Sequence, residues 1–407
     1  MSTARIQIES QSESIKTTVE KKHFGELDSL RGLAAVAVVL YHWYHLYPQH
    51  SLPTRIDRLL QLTPLQLLIG GHSSVILFYV LSGFVLSLPQ VRGARVDYPA
   101  YLIKRICRIY LPYLIALILS LLGCFYFHGL DSYDSWFRLT WYASPSWGLI
   151  RQHLLFVGDY DVSAYNTAFW SLVQEMRISI FFPVLCFAVI RLRAAGSILL
   201  GCSLVFLGMF LDSKSWIPLT YSQTISSTSI FILGILISLY LQKIQIRLRS
   251  LPRAAWWALL FISLSLYIYS PLLGYHLYLA KPVMDSLLAL GSGGIVLFSL
   301  STARIGRFLM GSTISFLGRI SYSIYLIHGT VLFSFAYLFH GKLSPVAWFV
   351  PYLGVTLGAA ALLHRFAELP SIHLGKMFAP IVDRRSDQRS SVLLDHESGI
   401  LRKAQPE

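Results

Sequence analysis

Charge is what this sequence has least of: 13% of its 407 residues are Asp, Glu, Lys or Arg, against 55% that are hydrophobic. Soluble domains carry about twice that charged share, so an ordinary soluble enzyme is excluded. Cysteine is also scarce. Cys107, Cys124, Cys186 and Cys202 sit in or beside apolar runs without metal-ligand spacing, which excludes a disulfide scaffold and predicts free thiols. The first 23 residues are polar and contain no apolar h-region, so no cleavable signal peptide is expected. Acids are fewer than bases, giving a net charge of +14. That excess alone would fit nucleic acid, but no RNA- or DNA-binding motif accompanies it, and the bases gather in short loops.

Apolar runs long enough to cross a bilayer recur along the chain and predict an all-α, polytopic membrane protein. Ten spans are expected, near 30–47, 72–90, 109–128, 168–190, 196–212, 224–241, 254–271, 283–300, 320–339 and 346–363. The domain division expected is a polar, disordered tail over 1–25, one transmembrane domain over 26–375 and a second polar tail over 376–407. Alternate loops differ in charge. Those at 91–108, 191–195, 242–253 and 301–319 hold fourteen Lys and Arg with Asp97 as the only acid; the opposite set holds seven bases and five acids. The positive-inside rule then puts both termini in the cytosol. The longest outer loop, 129–167, is rich in aromatics (Trp136, Trp141, Tyr142, Trp147, Tyr160) and reads either as an interfacial belt or as a sugar-stacking surface.

The most informative stretch is LDSLRGLAAVAVVLYHW, Leu27 to Trp43, where ten uncharged residues separate Arg31 from His42. Eleven helical steps of about 100° return His42 to within roughly 20° of Arg31, about 16 Å along the axis. Arg31, Ala35, Val38 and His42 thus form one stripe, with Arg31 at the cytosolic entrance and His42 halfway or more across. Arg31 alone also reads as a topology anchor and a lone histidine as a packing residue. An ionisable group deep in a span nevertheless marks function, and histidine exchanges protons near pH 7.

Other polar residues stand where an idle span would have none. Ser82-Gly83 lies mid-span and fits close helix packing; Arg105 and Arg108, three apart in RICRIYLPY, share a helix face at the cytosolic mouth. With Arg31 they form a cluster able to hold phosphates, or anchor the topology. Glu175 in WSLVQEMR is expected at a depth like that of His42, where it either orients the imidazole or pairs with another span. Arg177, two residues on, points elsewhere. FILG at 231–234 reads as packing; Tyr322, Tyr325 and His328 lie in ISYSIYLIH; Glu368 in HRFAELPSI is expected at the cytosolic surface, in reach of Arg31, Arg105 or Arg108.

Together these motifs resemble the acyltransferase-3 family of integral membrane acyltransferases. The family opening LDxLRGxAAxxVxxxH is matched by Leu27, Asp28, Leu30, Arg31, Gly32 and His42. The likeness continues through LFYVLSGFVLS, RICRIYLPY, WSLxxE, FILG, ISYSIYLIH and the ExP at Glu368–Pro370, in the family's order and over nearly the whole chain. The resemblance implies about ten spans, an acyl-coenzyme A donor (acetyl in most cases) in the cytosol, and transfer to a hydroxyl of a carbohydrate or other small acceptor. It also implies that Arg31 and His42 are essential. Two departures stand out. The family's EexFY pattern is here Glu175-Met-Arg-Ile-Ser179, and the roughly 40 residues after the last motif are too few for the SGNH hydrolase-like domain that some members carry.

The expectation is therefore a membrane-bound, acyl-coenzyme A-dependent O-acyltransferase of the stand-alone type. Its catalytic residues would be His42 and Glu175; Arg31, Arg105 and Arg108 would bind the donor; Ser82, Tyr322, His328 and Glu368 would touch or support substrate. No metal and no permanently bound cofactor are expected, and acyl-coenzyme A, the acceptor and the bilayer are the partners. The rival is a proton-coupled transporter or exporter using His42, Glu175 and His328 as a relay. The topology is testable first. With the native cysteines replaced by serine, Asp134→Cys should react with an impermeant maleimide from the outer side only; labelling from the cytosolic side would reverse the arrangement.

Overall fold

The structure, a computed structural model, describes residues 24–46, 54–127, 140–141, 144–339 and 342–380. All regular elements among them are helices: α1 Gly25–Tyr44, α2 Thr54–Leu62, α3 Gly71–Val91, α4 Tyr98–Phe127, α5 Trp147–Leu155, α6 Phe169–Ser213 and α7 Leu219–Ser250. The series continues with α8 Arg253–His276, α9 Lys281–Ser301, α10 Ala303–Leu309, α11 Ser312–Arg319, α12 Ser321–Phe339 and α13 Phe349–Leu363. A π-helical turn, His364–Glu368, prolongs α13, and the run stays helical to Pro380. The polytopic all-α class is therefore as expected. The expected tails lie outside the described residues, except that 24–25 and 376–380 belong to or border helices. Trp136, Tyr142 and Asp134 also lie outside them.

Eight of these helices are long and apolar enough to cross a membrane, rather than ten. Two physical causes account for the difference. α1, with Glu26, Asp28, Arg31 and His42, is too polar to qualify by composition. The fourth and fifth expected spans are both inside α6, which turns at Arg193 (φ 58°, ψ −165°). Ser197 Oγ donates to the Val189 carbonyl at 3.1 Å. Eight residues lie about 12 Å apart on a straight helix, so the chain doubles back there. α4 also begins at Tyr98, well before the expected 109, and its first three turns carry Arg105 and Arg108.

The bundle forms because small residues let backbones touch where lipid gives no hydrophobic drive between helices. A Cβ on Gly32 of α1 would lie 2.5 Å from the Gly318 nitrogen of α11. At the α3–α7 crossing, Gly83 and Gly234 interlock: a Cβ on either would come within 2.3 Å of the other helix's carbonyl oxygen. The SGF and FILG motifs thus share one contact. α1 is held between α3, α11 and α12, so its polar stripe faces protein.

Residues 140–141 and 144–168 pack onto the bundle. Trp141 is a buried core residue, its Nε1 donating to the Tyr165 carbonyl at 2.9 Å, whereas Trp147 is exposed. Arg177 pins the segment from below. Its guanidinium donates to the carbonyls of Val157 (3.0 Å), Gly158 (2.5 Å) and Thr220 (3.0 Å). His153 of α5 is fully buried among Tyr160, Tyr165 and Phe169, with Nδ1 3.1 Å from the Tyr113 hydroxyl. Burial lowers its pKa to about 4, partly offset by a hydrogen bond that the ring donates to the Asp161 backbone. The unfolded chain takes up a proton near 6.5, the folded chain only near 4. Stability that depends on neutral His153 is therefore complete above pH 6.5 and is lost as pH falls toward 4, by at most about 3 kcal/mol. Amide exchange over 144–168 should accelerate across that window and His153→Phe should flatten the dependence; an unchanged slope in the variant would assign it elsewhere.

Candidate active site

The predicted stripe is present on α1. Ala35 and Val38 are fully buried between half-buried Arg31 and His42. At the deeper end His42 meets His328 of α12: Nδ1 of His42 and Nε2 of His328 lie 3.2 Å apart and the ring centroids 5.0 Å. Both rings are anchored to carbonyl oxygens. His328 Nδ1 is 2.8 Å from the Tyr325 oxygen and 3.2 Å from that of Ile324; His42 Nδ1 is 2.9 Å from the Val38 oxygen. A carbonyl only accepts, so each Nδ1 must carry the proton. His328 Nε2 is then a lone pair, which receives the His42 Nδ1–H. The chain of bonds leaves His42 Nε2 as the basic nitrogen of its ring. His328, read from sequence as support, is thus the group that sets the tautomer of His42.

Glu175 is not where the sequence placed it. Its Oε1 accepts from Ser82 Oγ at 2.9 Å and from Arg105 Nη2 at 2.8 Å. Of the two readings for Glu175, orienting the His42 imidazole or pairing with another span, the structure shows the second, an ion pair with Arg105 of α4. The cause is register along α6. Ser171 is level with Tyr325, their hydroxyls 2.6 Å apart, and Tyr325 lies one turn of α12 from His328. Glu175 is a further turn along α6, about 6 Å away from that level, toward the arginines. A relay through His42, His328 and Glu175 is interrupted at the same step.

Arg105 is likewise altered in reading. It is buried, and Nη2 is shared between Glu175 and Ser179 Oγ (2.9 Å), so it faces a carboxylate instead of the mouth. Arg108, one turn on, is exposed and has no ion-pair partner among the described residues. Arg31 donates to Asp28 Oδ1 at 2.9 Å and, more weakly, to the Leu81 carbonyl at 3.5 Å, within electrostatic reach of Arg108 and Glu175. Tyr322 joins this end, its hydroxyl donating to the Ile109 carbonyl at 2.8 Å. Glu368 does not pair with Arg31, Arg105 or Arg108. The π turn rotates it inward, where it accepts from Ser323 Oγ (2.7 Å) and faces His364 Nδ1 (2.9 Å), 3% exposed.

On the other side of the histidine pair lies a cavity of about 300 Å³. His42, Tyr41 and His45 of α1, His72 of α3, Trp170 of α6 and Tyr325 of α12 form its walls, with Ser163 and Thr167 from the segment held by Arg177. Three members of this site, Ser171, His72 and Asp285, escaped the sequence reading. The contact of Ser171 with Tyr325 depends on tertiary register. His72, at the start of α3, donates Nε2–H to Asp285 Oδ1 at 2.5 Å, and Lys281 Nζ donates to Asp285 Oδ2 at 2.9 Å. The signal for Asp285 was present: it is the only acid in an otherwise apolar span, which by itself marks a site.

The arrangement therefore sets the His42–His328 pair between the arginines and the cavity. A protein of Acidianus two-tailed virus named "Putative acetyltransferase ORF330" is 28% identical over 209 residues, covering 51% of this chain and 53% of the viral protein. The chain thus spans about half the length of that relative. No solved structure matches. The pattern of the family described as an acyltransferase domain matches residues 24–365, from the start of α1 into the π turn. This chain belongs to the acyltransferase-3 family.

Proposed function

We propose that the protein is an acyl-coenzyme A-dependent O-acyltransferase that passes an acyl group, acetyl first of all, from a cytosolic donor to a hydroxyl of a carbohydrate or other small acceptor. The observation that carries the reading is the His42–His328 pair, set between the arginine mouth and the cavity. Family membership and the name of the viral relative support the reaction class.

The chemistry follows from the tautomer. A neutral hydroxyl is a poor nucleophile toward a thioester, so its proton must be accepted as the C–O bond forms. His42 Nε2 takes that proton; the tetrahedral centre collapses, the C–S bond breaks and coenzyme A leaves as thiolate, to which the proton returns. His42 then carries its transient charge with Nδ1–H already directed at His328 Nε2 and the Val38 carbonyl, so little reorganisation is needed. No metal is required for this route. Arg108 and Arg31 hold the phosphates, Arg31 exchanging Asp28 for the ligand. The pantetheine arm follows the stripe for the roughly 16 Å to the imidazole. Arg105 serves by neutralising Glu175.

Three variants separate these roles. His42→Gln retains hydrogen bonding without proton transfer; thiol release and labelled-acetyl transfer should fall at least about 10²-fold with acetyl-coenzyme A affinity unchanged. Residual turnover above about a tenth would move the base elsewhere. A transporter would consume no thioester in this assay. Arg108→Ala should weaken donor binding about tenfold or more, the value of a charge-assisted hydrogen bond, measured by calorimetry. Arg105→Ala leaves a buried carboxylate unpaired and should cost about 3–5 kcal/mol of stability. A wild-type melting temperature in that variant would sink the assignment.

A further inference from the structure

The cavity contains two imidazoles that the transfer chemistry above does not use, His45 and His72, and the second is tied to a buried carboxylate. Asp285 stands 6% exposed in α9, and a carboxylate there requires compensation. It has two partners. Lys281 supplies the counter-charge at one oxygen, and the other accepts from His72 Nε2. The carboxylate and ammonium cancel, so the trio is electroneutral with the imidazole uncharged. With Nε2–H committed to Asp285, His72 keeps Nδ1 as a lone pair. The side chain is 23% exposed, and His72 lines the same cavity as His42. Its ring stacks with Trp170 at a centroid distance of 6.4 Å and 18° between planes, and Lys281 Nζ lies 6.0 Å from the Trp170 centroid. A cavity of about 300 Å³ is at the small end for ligand sites, so an occupant touching His42 also reaches this wall.

We infer that His72, positioned by Asp285 and Lys281, binds the acceptor, accepting a hydrogen bond at Nδ1 from a second hydroxyl or N–H group beside the hydroxyl that is acylated, while Trp170 covers the acceptor's apolar face. The inference rests on the acyl-transfer reading. It makes the acceptor a diol or amino alcohol with an apolar side, and it makes Asp285 a positioning residue. The competing role is a clamp, in which His72 merely ties α3 to α9.

Glutamine and asparagine distinguish the two, because a glutamine amide reproduces Nε2 of histidine and an asparagine amide reproduces Nδ1. His72→Gln therefore keeps the bond to Asp285 and loses the group that faces the acceptor. The assay uses the native host, with each variant at the chromosomal locus and labelled acetate fed to the cells. The readout is acetyl ester released by mild alkali, normalised to protein abundance in the membrane. Purified full-length protein gives acetyl-coenzyme A affinity and melting temperature. His72→Gln should lower labelled ester at least tenfold, with donor affinity and melting temperature unchanged. His72→Asn should recover a third or more of the wild-type signal. Wild-type ester in His72→Gln, or recovery by glutamine and not by asparagine, would establish the clamp and overturn the inference. Equal loss in both variants at normal abundance would also overturn it, since asparagine retains the group said to act. Absence of any gene-dependent ester in the wild type is a different failure: it would strike the acyl-transfer reading itself.

Discussion

A polar side chain inside a bilayer has no water to turn to, and the rest of this structure follows from how that requirement is met. Each carboxylate of the site has a specific partner: Asp28 with Arg31, Glu175 with Arg105 and Ser82, Glu368 with Ser323 and His364, Asp285 with His72 and Lys281. Apart from the first, which lies within α1, these bonds join α3, α4, α6 and α9 to one another and α12 to the π turn. They fix the depth of each group as well as its neighbour, because a one-turn slip would leave a charge unpaired at a cost of about 3–5 kcal/mol. The glycine contacts between α1 and α11 and between α3 and α7 allow the close approach that makes such short bonds possible.

The consequence for function is an ordered sequence of groups along the bundle. Guanidinium groups stand at one end, with Glu175 compensating the buried one. Hydroxyls follow, Tyr322 and then the Tyr325–Ser171 pair. Next come the two imidazoles, and beyond them the cavity with His72. α12 supplies Tyr322, Tyr325 and His328 at three-residue intervals, so one helix face carries the series past α1. Two helices with ladders in register can hold an extended donor between a charged anchor and a reactive atom, which a single stripe could not.

Much of this was legible in the sequence, and the parts that were not share a cause. The Arg31–His42 stripe is a property of one helix, so residue spacing revealed it. The same holds for Arg105 and Arg108 on one face, and for the reversal near Arg193, announced by two arginines in a short break. Which of the two readings held for Glu175 was not legible, because its partner depends on how far α6 is slid against α3 and α4, which no single-helix spacing contains. Glu368 was misjudged for a local reason: a π turn adds a residue and rotates the side chain off the face an α-helix predicts. The count of ten spans and the eight qualifying helices differ through α1, which is polar, and the doubled α6, which bends at Arg193. His328, read from sequence as support, is fully buried.

That last residue shows what burial accomplishes here. A solvated imidazole samples both tautomers, and either nitrogen can act. Inside the bundle, the Tyr325 and Ile324 carbonyls force the proton of His328 onto Nδ1, and the resulting lone pair joins the Val38 carbonyl in forcing the proton of His42 onto Nδ1. Backbone carbonyls in helices are ordinarily spent on the i+4 amide, but each retains a second lone pair. Three of those spare lone pairs, one on α1 and two on α12, determine which nitrogen of His42 is basic. The arrangement uses no carboxylate, so in the proposed transfer no negative charge would stand beside the thioester's developing oxyanion. A family motif that specifies a histidine at the end of an apolar stripe is then sufficient, because the helix that carries the base also supplies part of its orientation.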